Sequence, residues 1–229
     1  MSFTERTELL IGKEGVTKLN NCHVAIFGVG GVGGYTCEML ARAGVGELTI
    51  VDFDVVSISN INRQIIALNS TVGKLKVEVF KDRLLDINPN LKINALPVKF
   101  GEDTINEVFK ANFDYVVDAI DMVANKITLI KTCHDKNINI ISAMGAGNRC
   151  DIPQFEVADI YKTYNDGLAK VVRKKLRELG IEKHKVVFTK SMPTPNADAV
   201  GSISYYPSMC GCVLAGYVIN ELLKWFYKQ

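Results

Sequence analysis

With 229 residues, 48% of them hydrophobic and 23% charged, the chain fits one large soluble domain with a sizeable core. A formal net charge of +2 supplies no global field that would force a nucleic-acid function. The polar start, Met1-Ser-Phe-Thr-Glu-Arg6, lacks the apolar run of a secretory signal.

The first 150 residues alternate short apolar runs with helical patterns. His23–Gly28 reads as a buried strand, followed by a helix over Val32–Gly44. Glu47–Asp52 is a second strand, and Lys74–Ile87 an amphipathic helix ended by Asn88-Pro89. Strands follow at Lys92–Pro97, Phe113–Asp118 and Ile138–Ser142, with a helix over Ala124–Lys136 between the last two. This alternation predicts parallel βαβ units in a doubly wound, mostly parallel sheet. A ligand then belongs beyond the C-terminal ends of the strands. Residues 144–210 break the rhythm: strands at Phe155–Asp159 and Lys185–Thr189 flank a basic helix over Leu168–Leu179, and Met192–Asn196 is a loop. The chain closes on an apolar helix from Cys212 to Tyr227, too short in its apolar run to span a membrane. The expected organisation is a single domain over 1–229. It comprises a nucleotide-binding core to residue 150, an inserted α+β lobe for substrate over 151–210, and a C-terminal packing helix over 211–229. No repeat, low-complexity tract or linker divides it.

Gly28, Gly30 and Gly33, with Gly31 between them, satisfy G-x-G-x-x-G after a strand and before a helix. Their missing side chains let backbone amides approach a phosphate at the positive helix end. Asp52 ends the second strand, where an acid can take both ribose hydroxyls. Asp54 lies two residues on; it can act directly, orient Arg63, or cap the next turn. The run Ser59-Asn60-Ile-Asn-Arg63-Gln64 is the most specific cluster. A nicotinamide enzyme has no general need for it. An enzyme that cleaves a triphosphate needs amide and guanidinium donors there, because charge builds as the phosphates separate.

These residues, with Arg6–Gly12, Gly73–Glu78, Asp86–Pro89 and Asp118-Ala-Ile-Asp121, resemble the ThiF/MoeB/HesA superfamily of adenylating enzymes, relatives of the ubiquitin-activating enzymes. The match is strong over residues 6–150 and looser beyond. Within the superfamily the chain is most similar to the dehydratases that act on threonylcarbamoyladenosine in tRNA. The resemblance implies a Rossmann-like, ubiquitin-activating-enzyme-like fold. It implies ATP as cofactor, held at the triphosphate by Asn60, Arg63 and Lys76, with Gln64 supporting the network. It implies Mg2+ at Asp121, with Asp118 as the structural alternative. Arg6 matches an arginine that crosses a dimer to the partner's phosphates; its bland alternative is an exposed residue on a frayed N-terminal helix. Arg6 and the apolar last helix together predict a homodimer.

Lys170, Arg173, Lys174, Lys175, Arg177, Lys183 and Lys185 stand against only Glu178 and Glu182. That patch can hold tRNA phosphates or can be a solvated helix face. Six cysteines form no C-x-x-C pair, so a two-pair zinc site cannot be built. Cys22, Cys37 and Cys133 read as core residues in a reduced, cytoplasmic protein. Cys210 and Cys212, introducing the last helix in an apolar setting, read as packing residues rather than carrier thiols. The expected reaction is ATP-dependent cyclisation of threonylcarbamoyladenosine in tRNA through an acyl-adenylate, releasing AMP and pyrophosphate. The alternatives are an adenylyltransferase for a ubiquitin-like sulfur carrier and a non-catalytic NAD-binding scaffold. A partner from a cysteine-desulfurase system is compatible with the resemblance.

Overall fold

The computed structural model describes residues 2–194 and 199–224. The elements in chain order are α1 (Glu5–Asn20), β1 (His23–Phe27), α2 (Gly33–Ala43), β2 (Glu47–Val51), α3 (Lys76–Ile87), β3 (Lys92–Leu96), α4 (Ile105–Val108), β4 (Tyr115–Asp118), α5 (Val123–Asp135), β5 (Ile140–Ala143), β6 (Phe155–Asp159), α6 (Gly167–Glu178), β7 (Lys185–Thr189) and α7 (Tyr205–Leu223). Among the described residues the seven strands form one sheet in the order β3-β2-β1-β4-β5-β7-β6. Every pairing is parallel except the edge pair β6–β7.

β1 and β4 are buried along their whole length, as strands covered on both faces must be. One face packs Leu19, Leu40, Phe80, Leu84 and Leu214 from α1, α2, α3 and α7; the other packs Leu129, Ile130, Val172 and Leu176 from α5 and α6. The chain moves from β1 outward to β2 and β3, then returns to the other side of β1 for β4. That reversal opens a crevice beyond the strand ends, where ligands of such sheets bind.

Two expectations change. The segment foreseen as an inserted lobe continues the central sheet: β7 pairs parallel with β5, and β6 closes the edge. The last helix begins at Tyr205 rather than Cys212, so Cys210 and Cys212 lie inside it. Pro207 sits in its first turn, where the missing N–H has no helical acceptor to lose. Residues 225–227 of the foreseen helix and Pro195-Asn196 of the foreseen loop lie outside the described residues. Cys210, Leu214, Ala215 and Val218 of α7 are buried against α2 and the sheet. Much of its apolar surface is therefore buried within one subunit, while Met209 stays exposed and Val213, Tyr217, Ile219 and Leu222 are partly buried.

Candidate active site

A cavity of about 440 Å³ opens at the crevice. Its wall comes from the ends of four strands. Gly28, Gly30 and Gly31 follow β1; Asp52, Phe53 and Asp54 follow β2; Val98, Lys99 and Phe100 follow β3; Ala119, Ile120, Asp121 and Met122 follow β4. Asn60, Arg63, Gln64 and Lys76 join it, as do Asn125, Ala146, Gly147, Val200, Ser202 and Pro207.

Gly28 must be glycine, with φ at +83° and a Cβ that would stand 2.7 Å from the Ala119 carbonyl oxygen. Gly33 lies outside the cavity wall and opens α2 in close contact with the Gly28 carbonyl. Asp52 braces this loop. Its Oδ2 accepts the Val29 N–H at 2.8 Å and its Oδ1 the Asp54 N–H at 2.9 Å. Each carboxylate oxygen keeps a second lone pair, so the brace still leaves acceptors for hydroxyls. Burial pushes the Asp52 carboxyl above the usual range, against the opposing pull of Lys76 and the two N–H donors.

Asp54 does not orient Arg63. Its Oδ2 accepts from Lys76 Nζ at 2.7 Å, and its carbonyl accepts the Lys76 N–H at 3.0 Å. Lys76 is buried and is the first residue of α3, while Asp54 is half-exposed. The lysine is thus held at the cavity wall by a partner that solvent screens. Asn60 Oδ1 accepts the Ser57 N–H at 3.1 Å and fixes the 3-10 turn Ile58–Asn60. Arg63 Nη1 donates to the Ser59 carbonyl and to Asn62 Oδ1, both at 2.9 Å. Neither acceptor is charged, so the guanidinium keeps its full charge for an anion. Ser59 contributes that carbonyl; its hydroxyl bonds Ser57 at 2.9 Å and does not line the cavity.

Gln64 is buried, its Nε2 lies beside Gly30, and its Oε1 has no hydrogen-bond partner among the described residues. An unsatisfied buried carbonyl costs about 1–3 kcal/mol, which a donor on a bound ligand would recover. The wall therefore fits a nucleotide: acceptors on the Asp52 side, cations on the Arg63 and Lys76 side, an orphan amide between. For a metal, Asp121 offers an exposed carboxylate at the wall. Among the described residues no three acidic, histidine or cysteine side chains gather as a metal cage. A hard cation there would take its remaining oxygens from phosphate and water. Asp118 is fully buried, with Oδ2 paired to the equally buried Lys126 at 2.8 Å and Oδ1 on the Ile120 N–H. It is a structural acid that shapes the loop carrying Asp121.

Several wall residues carried no sequence signal. Lys99 Nζ stands 5.6 Å from the Phe53 ring centroid, a cation–π contact at the rim. Asn125 donates to the Phe100 carbonyl. Arg149, buried without a carboxylate partner, donates to the carbonyls of Gly145, Gly147, Asn165 and Ser191. It gathers the loop that brings Ala146 and Gly147 to the wall. Asn125 and Arg149 act on backbone carbonyls, which no residue pattern records.

Elsewhere the predicted residues stand apart from the cavity. Arg6 is exposed on α1, near Phe3, Leu9 and Leu10, which are 50%, 75% and 84% exposed. On α6, Lys170 and Lys174 are exposed, whereas Lys175 pairs with Glu178 and Arg177 stacks on Tyr161. Arg173 turns inward to the Thr163 carbonyl at 2.8 Å. All six cysteines are free; burial pushes the Cys210 thiol up to about 12 and raises that of Cys212. Neither is poised as a thiolate at neutral pH.

Fold and site together define a nucleotide-binding α/β protein whose crevice carries two cations, Arg63 on neutral acceptors and Lys76 on the half-exposed Asp54. The chain belongs to the ThiF family, whose model matches residues 4–229. It is 43% identical to the tRNA threonylcarbamoyladenosine dehydratase of Bacillus subtilis, over 96% of this chain and 94% of that protein. The Escherichia coli enzyme of that name, solved with ATP, superposes with a TM-score of 0.92 at 30% identity, covering 98% of this chain and 95% of that one; it has also been solved with AMP. A molybdopterin-synthase adenylyltransferase of Haemophilus influenzae is less similar, at 34% over 70% of this chain and 65% of that protein.

Proposed function

We propose that this chain is an ATP-dependent tRNA threonylcarbamoyladenosine dehydratase. The carrying observation is that a chain matching such a dehydratase end to end brings Arg63, Lys76 and the unpartnered Gln64 carbonyl onto one cavity. The threonylcarbamoyl carboxylate attacks the α-phosphorus of ATP, and the bond to pyrophosphate breaks. A nucleophile of the same modified nucleoside then attacks the activated acyl carbon. The carbon–oxygen bond breaks, and AMP leaves with the former carboxylate oxygen. The net change is loss of water from the nucleoside.

In this reading Asp52 holds the ribose and the glycine loop the phosphates. Arg63 and Lys76 meet the charge that grows as pyrophosphate departs. Asn60 and Gln64 complete the phosphate-side donors and acceptors. Magnesium belongs at Asp121, where it would neutralise phosphate charge. Arg6 acts across a homodimer, which the exposed Leu9 and Leu10 beside it favour. Lys170 and Lys174 meet tRNA phosphates. The six free cysteines suit the cytoplasm.

The test is incubation with ATP, magnesium and either tRNA carrying threonylcarbamoyladenosine or a carrier protein with a Gly-Gly tail. AMP release and a nucleoside lighter by one water with the tRNA support the proposal. AMP release with the carrier alone would replace it with the adenylyltransferase reading.

A further inference from the structure

Asn62 stands inside the phosphate-binding run, yet no role in nucleotide contact falls to it: it is exposed and is not part of the cavity wall. Its carboxamide is used on both sides. Oδ1 accepts from Arg63 Nη1 at 2.9 Å, and Nδ2 donates to the Ser202 carbonyl at 3.0 Å. Ser202 and Val200 also line the cavity. Their segment is tied down at one further place. Gly201 N–H donates to Asn148 Oδ1 at 2.6 Å, and the Asn148 N–H returns a bond to the Gly201 carbonyl at 2.8 Å. Asn148 makes this possible by taking φ of +56°, a conformation asparagine tolerates better than most residues. Gly147 beside it leaves room for Val200, which any side chain there would displace.

We propose that Asn62 is a positioning residue that couples the Arg63 guanidinium to the wall segment 200–203. Occupation of the phosphate site by nucleotide and placement of the wall segment 200–203 are then set together. The carboxamide supplies an acceptor for the arginine and a donor for the carbonyl on two separate atoms of one side chain, so both bonds can be made at once. The inference rests on the proposed role of Arg63 at the triphosphate. It adds that this wall segment responds to nucleotide through one exposed side chain.

The experiment is hydrogen exchange of the peptide covering 199–204, with and without a non-hydrolysable ATP analogue and magnesium. In the unmodified protein the analogue slows exchange of the 200–203 amides. In Asn62→Ala that protection is lost, while analogue affinity changes by no more than about threefold, the low end of a hydrogen bond's net worth, because Asn62 lies outside the cavity wall. Asn62→Gln restores protection; Asn62→Leu, of similar volume, does not. Turnover of Asn62→Ala falls about tenfold in kcat with little change in KM for ATP, short of the ~10²-fold that a 1 Å misplacement can cost. Equal protection in Asn62→Ala and the unmodified protein overturns the coupling. Protection lost in parallel with analogue affinity also overturns it, because Asn62 would then be a nucleotide contact. Binding of the analogue that survives Arg63→Ala unchanged overturns instead the role of Arg63, and the coupling with it.

Discussion

Arg63 and Lys76 reach the cavity in different ways, and their loss should read differently. Arg63 is held by two neutral acceptors and Lys76 by Asp54. Removing a contact to charge that develops in the transition state costs about 10²–10³ in rate. Arg63→Ala and Lys76→Ala should lower AMP formation by that order and leave the unfolding midpoint of Arg63→Ala within a degree or two. Wild-type AMP release in either folded variant removes that residue from the mechanism. Asp54→Asn, which frees the lysine from its ion pair, should lower the rate less, by roughly tenfold, since the backbone contact between Asp54 and Lys76 survives. At this scale the motif residues were legible because each follows a fixed offset from a glycine turn or a strand end. The partners were not. The sequence offered Arg63 as the partner of Asp54, and the path of the chain into α3 brings Lys76 there instead. Arg149 was invisible because its acceptors are backbone carbonyls, which no residue pattern records.

Among the elements, the strands and α2, α5 and α6 were legible within a few residues. The start of α7 was not: it lies at Tyr205, ahead of Pro207 and Gly211. Pro207 is tolerated in the first turn, and Gly211 is selected by contact with α2, where a Cβ would lie 2.9 Å from that of Tyr35. The link between α5 and β7 carries a pH prediction. His184, just before β7, is buried, with Nε2 and Ser142 Oγ at 2.8 Å and Nδ1 facing His134. Burial, then His134 and then Lys126, push it down to about 3. The unfolded chain takes a proton near pH 6.5 that the folded one refuses, so stability falls as pH drops below that value. Over the interval from 7 to 5 the loss is about 2 kcal/mol at 1.36 kcal/mol per pH unit. Urea unfolding at both pH values should show His184→Gln losing that much less than the unmodified protein. An identical loss in both would mean that His184 is not kept neutral by the fold.

For the whole molecule, the sheet order and its switch point put every strand-end motif on one crevice, and that much follows from alternating strands and helices. The assembly does not. Arg6 lies outside its own subunit's cavity, and α7, whose apolarity suggested a partner, buries much of its apolar surface against α2 and the sheet. If Arg6 acts across a homodimer, mixing inactive Arg6→Ala and Arg63→Ala subunits should restore measurable AMP release through hybrid dimers. Mixtures as inactive as their components, with subunit exchange shown by mass, would place Arg6 outside the reaction. On α6 the inward turn of Arg173 narrows the basic face to Lys170 and Lys174, with Lys175 and Arg177 already engaged. Lys170→Glu with Lys174→Glu should weaken tRNA binding and reduce its log–log salt slope by about two, one per phosphate contact. ATP affinity should stay unchanged. An unaltered slope would move the tRNA elsewhere.

The account turns on the carboxylate of the modified nucleoside attacking the α-phosphorus, and a heavy-oxygen label follows that step. With both carboxylate oxygens of threonylcarbamoyladenosine labelled in tRNA, turnover should place one labelled oxygen in each AMP and none in pyrophosphate. Label found in inorganic phosphate, with ADP as the nucleotide product, would mean attack at the γ-phosphorus and would contradict the adenylation mechanism.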